Sequence, residues 1–113
     1  MLSERKRMSY LFGGCYVLAC AIHDLTGWEI VSTWVESADP RHPAGEEHVM
    51  VRLPDGRLLD ASGLHDPAHW YVFPERSACY QADEAWQRRH VTRAVRADAR
   101  ELLASLGLEV ASG

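Results

Sequence analysis

A thiol, an imidazole and a carboxylate stand in the order Cys15, His48 and Asp60, each in a setting that suits catalysis. Cys15 follows Gly13-Gly14 and opens an apolar, helix-like run. His48 begins the strand-like run Val49-Met50-Val51-Arg52-Leu53, and Asp60 closes Arg57-Leu58-Leu59 after the turn Pro54-Asp55-Gly56. The first turn of a helix offers unpaired N–H groups and the positive end of the macrodipole, and both lower a thiol pKa. The same N–H groups can hold an oxyanion. An imidazole steadied by a carboxylate could take the thiol proton, so the three residues together predict acyl transfer through a thioester. Water as acceptor makes a peptidase or deamidase, and an amine makes a transamidase. Taken alone, Cys15 reads as a small buried apolar residue, as most free cysteines do. The company of His48 and Asp60 is what argues for a nucleophile.

The hairpin must bring the imidazole and the carboxylate together. Pro54 pre-sets its φ, and Gly56 accepts the positive φ that a tight hairpin needs. If residue 53 pairs with 57, residue 50 faces 60, and His48 becomes the diagonal neighbour of Asp60 on one face. Diagonal neighbours lie ~7–8 Å apart at Cα, within reach of long or polar side chains. A slip of one residue would put the two on opposite faces.

The other elements follow from periodicity and punctuation. Residues 1–8 are polar and predict a frayed segment or a short helix. Cys15 to Leu25 predicts a helix whose buried face holds Val17, Leu18, Cys20, Ala21, Ile22 and Leu25, with Gly27 as its left-handed stop. Glu29 to Val35 predicts a strand. Ser37 to Gly45, with Pro40, His42 and Pro43, predicts a solvated loop that delivers the chain to His48. Trp70-Tyr71-Val72-Phe73 predicts a short or edge strand that Pro74 stops. From Cys79 to Leu106 the pattern is helical, in one helix or two. Val91, Val95, Ala99, Leu102, Leu103 and Leu106 share a face there, and Gly107 is the terminator. The fold class is therefore α+β, a single domain over 1–113. An N-terminal helix carrying Cys15 packs on a small antiparallel sheet, with C-terminal helix or helices.

Composition narrows the function classes. The chain of 113 residues is long enough for one core, and its 47% apolar and 25% charged residues are ordinary for a globular protein. A net charge of -4 gives no basic field for nucleic acid. There is no apolar run of 18 residues to span a membrane. Cysteines at 15, 20 and 79 make no even disulfide framework, so a reducing cytoplasm is expected. Arg5, Lys6 and Arg7 ahead of an apolar run imitate an export signal, but Gly13 and Gly14 split that run and no clear cleavage site follows before His23-Asp24.

Gly13-Gly14-Cys15-Tyr16-x-Leu18-Ala19 opening a helix, then His48-Val-Met-Val, then Pro54-Asp-Gly-Arg-Leu-Leu-Asp60, resembles the papain-like and transglutaminase-like cysteine enzyme superfamily. The likeness covers about residues 13 to 63. It implies a nucleophile at the start of a helix packed on an antiparallel sheet, with His and Asp from adjacent strands. Cys15 is then the nucleophile, His48 the base and Asp60 the orienter. Tyr16 stands where many relatives carry an aromatic. Papain-type members place a Gln before the cysteine as oxyanion donor, whereas Ser9 and Tyr10 occupy that stretch here. Either Tyr10 assists, or the hole is all backbone around Gly14 and Cys15, or the site is degenerate.

A peptide or protein substrate is implied, and no cofactor is expected. The alternative from another class is a non-catalytic protein-binding module on the same scaffold, such as a phage or mobile-element accessory protein. His65 and His69, with Cys15, His48 or Asp66, compose a conceivable zinc set. No dense Cys/His spacing supports it, and the plainer expectation is surface histidines on a loop. His23 is expected to pack or cap, and Cys20 to be core. Trp70, beside His69, is expected to line a substrate cleft. Arg89, Arg93, Arg96 and Arg100 fall on one helical stripe with Asp98 and Glu101. Such a stripe is either a solvated face or a surface for a protein partner.

Overall fold

A computed structural model describes residues 2–35 and 47–108. The loop expected at 37–45, with His42, lies outside the described residues. The elements are α1 (Glu4–Leu11), α2 (Cys15–Thr26), β1 (Glu29–Val35), β2 (Glu47–Arg52), β3 (Leu58–Asp60), β4 (Gly63–His65), a 3-10 turn (Pro67–His69), β5 (Trp70–Phe73), α3 (Pro74–Ala82), α4 (Glu84–His90) and α5 (Arg93–Ser105). The five strands form one antiparallel sheet in the order β4-β3-β2-β1-β5, with helices on both sides of the sequence, so the class is α+β.

Both faces of the sheet carry apolar side chains. Ile30, Val49, Val51 and Leu59 meet Leu18, Ala19 and Ile22 of α2, and beyond them Ala99, Leu102 and Leu103 of α5. Val31, Val35, Met50, Leu58 and Trp70 form a second cluster. β1 and β2 are therefore buried nearly end to end, which matches their β-branched, almost uninterrupted apolar sequences. α2 ends at Gly27, whose φ of 76° is the left-handed conformation that stops a helix at low steric cost. Edge strand β5 pairs with β1 only from Ser32 to Val35. Beyond it α3 takes over the edge, since Ser77 Oγ and Gln81 Oε1 accept from the Ser32 and Ile30 N–H groups.

Of the two alternatives for the polar N-terminus, the short helix forms, as α1, and Tyr10 and Leu2 are buried there. Two expectations need correction. Pro74 does end β5, but it also starts a helix, because proline suits the first helical position. The C-terminal helical stretch is three helices. Asp83 and Thr92 break it by capping α4 and α5, accepting from the Trp86 and Val95 N–H groups. That break divides the arginine stripe. Arg89 belongs to α4, while Arg93, Arg96 and Arg100 ride on α5, and Arg96 is held by Asp24 of α2 at 2.7 Å. Asp98 does not salt that stripe but is buried against α1, accepting from Tyr10 Oη at 2.6 Å and Lys6 Nζ at 2.9 Å. No single helix among the described residues is long and apolar enough to cross a membrane, and α1 and α2 meet at 102°.

Candidate active site

The hairpin adopts the register that the sequence predicts. Val51 pairs with Leu59 and Arg52 with Leu58, and the Leu53 N–H donates to the Arg57 carbonyl at 2.9 Å across Pro54-Asp55-Gly56. Gly56 has φ +93°, a conformation glycine adopts freely. His48 and Asp60 consequently project from the same face, where His48 Nε2 donates to Asp60 Oδ2 at 2.9 Å. Both side chains are buried, at 4% and 3% exposure. A carboxylate only accepts, so this contact places a proton on Nε2 and leaves Nδ1 to serve the thiol.

Cys15 is the first residue of α2, which packs on the Val49–Leu59 face of the sheet. The β2–β3 ladder holds only the two pairs near the turn. Beyond them Val49, Leu59, Asp60 and Ala61 line one narrow cleft with Cys15, and the Val49 N–H turns to the sulfur. There the Cys15 thiol hydrogen-bonds His48. Gly14 supplies no side-chain cap, so the first-turn N–H groups of α2 stay available around the sulfur.

The electrostatics follow the geometry. Burial pushes the Cys15 thiol up, but its hydrogen bond to His48, the imidazolium charge, and the N–H groups of Val49 and Tyr16 outweigh burial and hold the pKa below the ordinary value. Burial also disfavours the charged form of His48, yet the hydrogen bonds and charges of Asp60 and Cys15 raise its pKa to about 9. Each partner thus favours the charged form of the other, a thiolate beside an imidazolium. Cys20, one helical turn further and buried among apolar groups, is pushed the opposite way, to about 12.

Several expected site residues have other work. A Cβ on Gly14 would lie 2.9 Å from the Ser9 carbonyl oxygen, so its missing side chain makes room for α1 and not for substrate. The Tyr10 ring lines the cleft, but its hydroxyl is committed to Asp98 and does not point at an oxyanion. Tyr16 donates to the Tyr80 carbonyl and stacks on Trp86 at 4.4 Å, which anchors the start of α2 to α3 and α4. Trp70 is buried at 5% exposure and does not line an open cleft. Its ring lies 6.2 Å from that of His48 and 5.4 Å, edge-on, from that of His65.

His65 is the residue the sequence reading missed. It sits on β4, its side chain is fully buried, and its Nε2 lies 2.8 Å from Asp60 Oδ1. It is no surface histidine, whereas His69 is exposed. The available signal was Ala61-Ser62-Gly63, a turn that pairs Asp60 with Gly63 and Leu58 with His65. His23 behaves as expected, its Nδ1 lying 2.6 Å from the Trp28 carbonyl at the end of α2. Among the described residues no group of three or more His, Cys, Asp or Glu is placed to share a metal ion. All three cysteines are free thiols.

No protein-family profile, curated protein or solved structure matches this chain.

Proposed function

We propose that the chain is a cysteine hydrolase or acyl transferase of the papain-like or transglutaminase-like kind, acting on a peptide or amide through Cys15, His48 and Asp60. The observation that carries this reading is the row itself: a thiol at a helix start, hydrogen-bonded to a buried imidazole that is hydrogen-bonded to a buried carboxylate. The Cys15 thiolate attacks the acyl carbon, and first-turn N–H groups of α2 receive the oxyanion. The C–N bond breaks as imidazolium His48 gives its Nδ1 proton to the leaving amine. Water or a second amine then attacks the thioester, His48 takes the proton, and the C–S bond breaks to restore the thiolate. With the Tyr10 hydroxyl occupied, the oxyanion donors are backbone. Free thiols suit a reducing cytoplasm, and the exposed arginines of α4 and α5 are the surface we assign to a protein partner.

The binding-module reading rests on a different observation. The space beside Cys15 is only about 10 Å³, room for about one water. Iodoacetamide labelling resolved by mass spectrometry separates the two. An enzyme alkylates Cys15 much faster than Cys79 near neutral pH, and His48→Ala abolishes the difference. Equal labelling of Cys15 and exposed Cys79 in the wild type would leave only the module.

A further inference from the structure

Asp60 accepts far more than a single orienting contact requires. Its Oδ2 faces His48, while its Oδ1 accepts from the Ser62 N–H at 2.8 Å, the Ser62 hydroxyl at 2.6 Å and His65 Nε2 at 2.8 Å. Ser62 Oγ also lies 3.1 Å from His65 Nε2, so serine, histidine and carboxylate close a triangle. The hydroxyl proton goes to Asp60, and the His65 Nε2–H is shared between Asp60 and Ser62. A carboxylate so placed has one oxygen pinned by β4 and its turn, and the other left in the plane of the His48 contact. The Trp70 ring lies beside both imidazoles, tilted to His48 and edge-on to His65.

We propose that His65, with Ser62, is a positioning residue for the Cys15–His48–Asp60 row, acting on the nucleophile through the Asp60 carboxylate. This rests on the reading of that row as a thiol nucleophile with its base. The argument is geometric. A buried carboxylate held by one partner can rotate about its Cα–Cβ and Cβ–Cγ bonds, and each rotation lengthens the bond to His48. Donors on the far oxygen remove that freedom, as outer-shell partners do at other preorganised sites. His48 from β2 and His65 from β4 are titratable groups that face this carboxylate, with Cys15 from α2 beyond His48. β4 is only three residues long and contributes one buried polar side chain, and that side chain is spent on Asp60.

The test is the pH profile of Cys15 alkylation by iodoacetamide, which a purely structural histidine would not move. His65→Phe keeps a buried ring and removes the donor, and its profile is expected to shift toward alkaline pH, with alkylation at pH 7 slower by about tenfold. At pH values where any thiol is ionised the rate is expected to match the wild type. His65→Gln retains an N–H near the position of Nε2 and is expected to restore most of the wild-type profile. Where His65→Phe does not melt cooperatively, Ser62→Ala decides, with a smaller shift in the same direction. A folded His65→Phe, or failing that a folded Ser62→Ala, with the wild-type profile overturns the inference. Failure of the underlying reading looks different, because there the wild-type Cys15 is no faster than Cys79 and His48→Ala changes nothing.

Discussion

At the scale of residues, the proposed chemistry moves one proton between a half-buried thiol and a buried imidazole. Asp60 sustains the charge on His48, and His48 sustains the charge on Cys15. Asp60→Asn retains an acceptor oxygen but removes the negative charge. The His48 pKa should then fall from about 9, and the Cys15 thiol should rise toward its ordinary value. Alkylation at pH 7 should drop by about tenfold for each unit that the thiol pKa rises above neutrality. The alkaline side separates two chemistries. Alkylation needs only the thiolate, so its rate should stay level as pH rises through 9. Acyl transfer also needs the imidazolium to protonate the leaving amine, so turnover of an amide substrate should fall above about pH 9, where His48 loses its proton. A profile that stays level for the amide would show that His48 does not donate that proton.

Elements, not residues, decide whether the row forms. Gly14 lets the end of α1 approach the start of α2, with its N–H donating to the Ser9 carbonyl at 3.0 Å. Gly14→Ala drives a methyl against that carbonyl, and backbone cannot yield as a flexible side chain can. We expect a loss of ~1–3 kcal/mol in urea unfolding, the usual cost of overpacking. Gly56→Ala strains a φ of +93° at the hairpin turn and should cost ~1 kcal/mol or more by the same measurement. This turn is also where the sequence was most readable. Pro54-Asp55-Gly56 fixed the hairpin, period-2 alternation fixed its faces, and the His48–Asp60 pairing followed. α2 and β1 were legible for a similar reason, since each is a long, patterned run that a glycine bounds in the sequence. β4 was not, because three residues are too few for alternation to register, and with it went His65. The breaks at Asp83 and Thr92 were hidden because capping residues inside a polar helical stretch look like ordinary surface residues. The approach of Cys15 to His48 left no local signature at all, because it is a tertiary contact between the start of α2 and β2.

The whole molecule ties the ends of its described chain together beside the site. Leu2 and Tyr10 of the N-terminal segment share one core cluster with Leu102 and Leu103 of α5, and α2 runs between them and the sheet. Asp98 fastens the arrangement across 88 residues of sequence, since a buried carboxylate accepts from Tyr10 and from the exposed head of Lys6. Desolvation, then the Asp98 contact, pushes the Tyr10 hydroxyl far up, which favours its role as a donor to that carboxylate. Because this core is continuous from α1 through α2 to α5, unfolding should be one transition, reported alike by far-ultraviolet circular dichroism and by tryptophan fluorescence. Tyr10→Phe keeps the ring against Cys15 but leaves a buried oxygen of Asp98 short of a donor. We expect it to lower the unfolding free energy by ~1–3 kcal/mol while keeping the two probes coincident. Separate transitions in that variant, with helical signal lost before fluorescence, would mean that α1 is an appendage whose contact with α5 is dispensable. Coincident transitions would mean that the segment preceding Cys15 is held by the far end of the fold, and that the position of Cys15 depends on the stability of the whole.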